Sequence, residues 1–170
     1  MDKLSNNSIL FLGLANEYCN ALESVETVDK EEFIDHMLKI LPRIYISATD
    51  LDLPVIEETY ADGVLDEIYY DSVRRNLEML MGEDDTFLEV FVEDMKFSDT
   101  PIAASVSECL ADIFQCLYDL IHSVKDIPQD HIVDYLAICR ESFDAYWGQT
   151  LCNVLRALHS LRFGTDNRNY

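Results

Sequence analysis

Glycine and proline are scarce, with five and four in a chain of 170 residues. So few turn formers leave little to connect many short strands, which argues against a sandwich or barrel and for helices. Basic side chains are also few: 12 Lys and Arg stand against 33 Asp and Glu, a formal charge of −21. A field of that sign repels phosphate backbones, so nucleic acid and anionic membrane surfaces are excluded as partners of the general surface. The five cysteines, Cys19, Cys109, Cys116, Cys139 and Cys152, are odd in number and contain no Cys-x-x-Cys pair. That removes both a zinc framework and a disulfide scaffold. They lie among apolar residues, where free Cys acts as a small hydrophobe, and a reducing compartment is expected. No apolar run approaches the roughly 20 residues that span a bilayer. The segment SILFLGLA (8–15) has the composition of a short signal-peptide core, but its leader MDKLSNN carries no net positive charge and no small-x-small site follows. Glu17 and Tyr18 before Cys19 also spoil a lipoprotein-type cleavage box. A cytoplasmic location is the expectation.

What is present is apolar and periodic. With 49% apolar residues and 11% aromatics the chain has the material for a core, and its length suits one domain that removes about 70% of its unfolded surface from water. A first helix is predicted over 8–22, where Ile9, Leu12, Tyr18 and Leu22 fall in a helical pattern. A second, within 27–54, opens with Asp29 as N-cap and Glu32 three residues later, a capping-box arrangement. Pro42 crosses its apolar stripe and predicts a kink or break near Leu41. Residues 49–64 read as a connection, and a third helix over 64–82 stops at Gly82. Residues 83–101 suit either a short helix or an extended run and are read as irregular with one or two helical turns.

The last two helices give the clearest signals. After Pro101, taken as an N-terminal helix residue, Ile102, Val106, Leu110, Ile113, Leu117, Leu120 and Val124 form one seam. From Ile132 through Leu136, Cys139, Phe143, Trp147, Leu151, Val154, Leu158 and Leu161 the apolar positions recur every ~3.6 residues, the period of a single helix face. Gly164 ends this long helix and leaves 164–170 as a frayed tail. No repeat, linker or low-complexity tract divides the chain. The expected fold is all-α: a single-domain bundle of about five main helices with a long C-terminal helix.

Side chains that could carry chemistry do not assemble into a known pattern. Glu108, Asp112, Gln115 and Asp119 make a polar stripe, and Asp119 with His122 has the spacing of di-metal helix bundles. The other pair, Glu32 and His36, has the wrong spacing, so a solvated stripe is read here and no metal or cofactor is expected. Gly-x-Ser-x-Gly, phosphate-binding glycine loops and His-Glu-x-x-His are all missing. His36, His122, His131 and His159 are scattered, and Cys152 with His159 has the spacing of a chance pair on one helix.

The stretch FDAYWGQTLCNVLRALHSLRF (143–163) differs. Between Asp144 and Asp166 no acidic residue occurs, the longest such gap in the chain, and Gln149, Asn153, Arg156, His159 and Arg162 lie within it. Cations near a helix C-terminus complement its dipole, and Trp147, the chain's single tryptophan, has the character of a core anchor. Gly148 in mid-helix costs about 1 kcal/mol relative to Ala. Something must approach the backbone there, and a neighbouring helix is favoured over a ligand.

This stretch resembles the signature near the C-terminus of bacterial proteins grouped as domain of unknown function 5063, in which a His-Trp-Gly-x-His run precedes Ala-Leu-Arg-Ala-Leu-His. LKILPRIYISATDLDLP (38–54), MGEDDTFLEVF (81–91) and ECLADIFQCLYDLI (108–121) are similar in the same order. The resemblance implies a helical fold and no established activity, and it singles out Asp112, Trp147, Gly148, Arg156 and His159. The chain departs from the pattern at Tyr146 and Thr150, where histidines are expected. Two readings follow. One is a non-enzymatic module that recognises a protein partner beside the last two helices. The other is a pocket for a small anionic ligand or substrate, with Arg156 and His159 supplying charge, Trp147 a wall and Asp112 orienting His159 or pairing with Arg156.

Overall fold

A computed structural model describes residues 3–57, 61–89 and 102–164. Helix α1 is Asn6–Glu23, α2 Lys30–Thr49, α3 Glu67–Met81, α4 Val106–Ser123, α5 Gln129–Ser142 and α6 Gly148–Phe163, and a π-helical turn, Phe143–Trp147, joins α5 to α6 without a break. The last two therefore make one long helix, and the chain is an all-α bundle of five main helices. Each of four starts is set by a side-chain acceptor for otherwise unpaired backbone donors. Ser5 accepts from Ser8, Asp29 from Glu31 and Glu32, Asp66 from Tyr69, and Ser105 from Glu108. Gly82 ends α3 with φ +57, a conformation that glycine adopts with least strain.

Helix α4 is the hub: it packs on α1, α3, α5 and α6, while α6 also packs on α2. Its seam residues Val106, Leu110, Ile113, Phe114 and Leu117 are wholly buried, and they meet Phe11, Tyr18, Met37, Leu41, Leu77 and Trp147 in one core. Burying Tyr18 requires a partner for its hydroxyl, and it donates to the Leu110 carbonyl at 2.7 Å. The C-terminal carbonyls of α2 find theirs in Arg140, whose Nη1 donates to Ala48 at 2.7 Å and reaches Leu51 at 3.4 Å. A cation at that end also complements the helix dipole.

Two sequence expectations give way. Helix α2 is not broken at Pro42 but runs from Lys30 to Thr49. Ile40, Leu41, Ile44 and Ala48 are buried on both sides of the proline, and their packing outweighs the single hydrogen bond that it removes. The segment from 83 is not an irregular stretch with helical turns beyond its first residues. After a 3-10 turn, Gly82–Asp85, strand β1 (Thr86–Glu89) pairs antiparallel with β2 (Ile102–Ser105), Thr86 opposite Ser105 and Glu89 opposite Ile102. Ile102 therefore belongs to a strand and not to the α4 seam. The start of α4 is fixed by Ser105 and Glu108, a capping-box pair, and by buried Asp85, which accepts from Ser107 N and Ser107 Oγ, each at 2.8 Å. Residues 90–101 and the tail from 165 lie outside the described residues.

Candidate functional site

The 143–163 stretch divides at Gly148. Its first part turns inward around Trp147. This side chain has no exposed surface, its Nε1 donates to the Cys139 carbonyl at 3.2 Å, and its ring meets that of Phe143 edge-on at 4.7 Å and stacks on Phe11 at 6.5 Å. Gly148 donates its N–H to the Phe143 carbonyl five residues back, the hydrogen bond of a π turn. A Cβ on Gly148 would lie 2.7 Å from that oxygen and 3.0 Å from the Phe143 ring. The close approach that the glycine implies is thus made by its own helix, and neither a neighbouring helix nor a ligand is needed to explain it.

Asp112 on α4 is taken by two phenols. Tyr70 of α3 donates to its Oδ1 at 2.6 Å and Tyr146 of the π turn to its Oδ2 at 2.8 Å. Burial, then the hydrogen bond to Asp112 and its charge, push the Tyr146 phenol up to about 12 and raise Tyr70 further. Asp112 therefore neither orients His159 nor pairs with Arg156. Tyr146 is one of the two positions where the family pattern has histidine, and here its hydroxyl occupies the carboxylate instead. Thr150, the other, donates to the Tyr146 carbonyl at 3.4 Å.

The second part of the stretch faces out. Gln149, Cys152, Arg156, His159 and Phe163 are exposed and recur at three and four residues along one side of α6. Arg156 lines a groove of about 390 Å³ between α6 and β1, together with Asn153, Leu161, Leu88, Asp84 and Glu89. Asn153 Nδ2 donates to Glu89 across it at 3.4 Å, and Asp84 is engaged by Lys30. His159 stands beside Phe163, ring centroids 5.2 Å apart, and Arg162 is held by Asp35 at 2.8 Å and Glu31 at 3.3 Å. Of the five residues singled out by the sequence, Arg156 and His159 share this outer face, Trp147 and Gly148 share the core, and Asp112 belongs to neither. No sequence signal marks Leu88 as a groove wall, because β1 is brought against α6 by tertiary pairing.

Two of the sequence's other pairs are divided by their neighbours. Asp119 accepts from Val64 N at 2.8 Å and Leu65 N at 2.7 Å, while the His122 ring stacks on Tyr118 at 3.9 Å. His36 meets Glu17 at 3.1 Å and not Glu32. Among the described residues no group of three or more His, Cys, Asp and Glu is placed to hold a metal ion, and no helix is long and apolar enough to cross a membrane. Burial pushes Cys19 and Cys109 up to about 12 and Cys116 to about 11. These thiols stay protonated at neutral pH and are poor nucleophiles. Cys152 is exposed but is also raised by partial burial, and no hydrogen bond joins it to His159.

Comparison with known proteins places this geometry in a family without lending it an activity. The family described as domain of unknown function DUF5063 matches residues 2–164. The crystal structure of protein BF1032 from Bacteroides fragilis superposes with a TM-score of 0.83 at 34% identity, covering 96% of this chain and 97% of that one. No curated protein matches.

Proposed function

The chain belongs to the DUF5063 family, whose function is unknown, and from that premise we propose that it is a non-enzymatic docking module working in the cytoplasm. Its outer α6 face would receive an apolar, carboxylate-bearing segment of another protein. One observation carries this reading: in a chain of charge −21 the outward side of α6 bears no acid, and beside the groove it exposes Arg156 and His159 with Leu88, Leu161 and Phe163. Apolar surface ringed by a few polar groups is the composition of a protein contact. The free and buried thiols accord with a reducing compartment.

The small-anion reading loses support from the same residues. Trp147 offers no wall to a ligand because it has no exposed surface. Arg156 shares its groove with two carboxylates, Asp84 and Glu89, whose charge opposes an anion more than one guanidinium attracts it.

The test compares capture from the native lysate by the wild-type chain and by Arg156→Glu with Leu161→Asp, both exposed positions. A protein retained by the first and lost by the second supports the proposal, and identical captures overturn it. A thermal-shift screen against phosphate, nucleotides and organic acids checks the other reading. A ligand at about 100 times its Kd adds about 2.7 kcal/mol, a rise of roughly 5 to 10 °C in Tm for a chain of this size. Such a rise, abolished by Arg156→Ala, would replace the docking reading with the anion pocket.

A further inference from the structure

Helix α1 leaves one face uncovered. Asn6, Ile9, Leu10, Gly13, Asn16 and Asn20 line one side at spacings of three and four residues, and Ile9, Leu10, Asn16 and Asn20 are exposed. Ile9 and Leu10 are each 56% exposed, large values for apolar residues in the first turns of a bundle helix. The neighbouring edge of α2 continues the surface. Asn7 Nδ2 donates to the Asp50 carbonyl at 3.0 Å, and His36 lies 3.1 Å from Glu17. That antiparallel register brings Ile46, itself 59% exposed, alongside Leu10.

Gly13 sits at the centre of this face, and its own chain gives no reason for it. A Cβ there would meet nothing within 4 Å, and glycine is the least favourable mid-helix residue after proline. Its absent side chain helps only where another backbone comes close.

Charge decides what that other surface is. Residues 4–16 contain no charged side chain, the longest such run in a chain of −21. The α2 edge adds Lys39 and Arg43, which pair with no carboxylate among the described residues, against Glu17 and Glu32. A basic partner would be drawn to the acidic surfaces elsewhere. This is the face on which a second strongly acidic chain can approach without setting carboxylate against carboxylate.

We propose that the outer face of α1 and the adjoining edge of α2, centred on Gly13, is where two copies of this chain associate. Helices of 18 and 20 residues, about 30 Å long and 8–10 Å apart, offer a face on the order of 500 Å² per copy. That is at the small end of specific interfaces, so the dimer is reversible and concentration-dependent. The proposal shares no residue with the α6 face and does not rest on its role.

Sedimentation equilibrium of the full chain tests it, over about 10 to 200 μM protein, a range suited to a small interface, at about 50 and 300 mM NaCl. The dimer fraction is expected to grow with concentration and with salt, because screening relieves repulsion between two chains of −21 while apolar burial is unaffected. Gly13→Leu is a better helix former and should keep the helical circular dichroism and a Tm no lower than wild type. It should nonetheless weaken dimerisation by about tenfold or more, as should Leu10→Asp. A chain that is monomeric throughout overturns the proposal. So does a dimer unchanged in both folded variants, or one that salt dissociates, since ion pairs elsewhere would then hold it.

Discussion

Gly148 and Gly13 both lie within long helices, yet one is hemmed in by its own chain and the other faces open space. The difference divides the molecule. Around Gly148 the chain packs against itself: the Phe143 carbonyl and ring fill the position of a side chain, Trp147 is sealed behind them, and Tyr146 closes over Asp112. Around Gly13, and on the outward side of α6 after Gly148, apolar and cationic groups are left without a counterpart among the described residues. The family's most specific residues, Trp147 and Gly148, thus explain how the bundle holds together. The faces available to partners lie elsewhere, and their residues contribute little to the fold.

Removing Trp147 gives the largest expected effect. Trp147→Ala leaves a cavity between α1, α4 and the π turn and should cost about 4 kcal/mol, lowering Tm by roughly 8 to 16 °C. Arg156→Ala, further along the same long helix, should change stability by less than about 0.5 kcal/mol. Thermal unfolding of the two variants side by side checks the division, and a comparable loss from Arg156→Ala would erase it.

The glycines sharpen the comparison, because one substitution should act with opposite signs. Gly148→Ala sets a methyl 2.7 Å from the Phe143 oxygen, and opening the π turn to relieve it should cost about 3 kcal/mol. Gly13→Ala meets nothing and should stabilise by about 1 kcal/mol through helix propensity alone. Denaturant midpoints with unchanged slopes would show both effects to be folded-state changes. A Gly13→Ala that destabilises would mean that its surroundings are not open.

Much of this division is legible in the amino-acid sequence. The seam from Ile132 to Leu161 predicts the long helix, and Asp29 predicts the start of α2. Even the π turn has a trace, since Cys139, Phe143, Trp147 and Leu151 step by four each time, wider than the ~3.6 of an α-helix. The apolar spacing of Ile102 fits a helix as well as a strand, and it draws the expected start of α4 forward to Pro101 although Ser105 and Glu108 spell a capping box. The fate of Asp112 is not legible at all. Its partners come from α3 and the π turn, 42 and 34 residues away, and only the packing of three helices decides that Tyr70 and Tyr146 reach it before Arg156. The uncharged run at 4–16 is open to view, but only the exposure of Ile9 and Leu10 and the open space at Gly13 separate an uncovered face from an ordinary buried one.

Tyr146 stands at the boundary between the two regions, half in solvent and bound to Asp112, and it supplies the smallest expected effect. Its phenol is raised from 10.0 to about 12, by burial first and by Asp112 second. A group whose folded pKa lies above its unfolded one contributes stability that is fully present below the unfolded value and is lost as pH rises through the folded one. Its contribution is therefore constant below about pH 10 and falls away between about pH 10 and 12, where the phenolate would face the Asp112 carboxylate. Tyr70 is raised further by the same causes and extends the loss to higher pH. Tyr146→Phe should lower stability at neutral pH by no more than about 1 kcal/mol and make the decline above about pH 10 shallower. Asp112→Asn should shift the decline while leaving the phenols buried as before. Stability measured by denaturant from about pH 8 to about 11.5 reads both slopes. Unchanged slopes in both variants would mean that the hydroxyl of Tyr146 does not reach Asp112 in solution, and the inward-facing region would then end at Trp147.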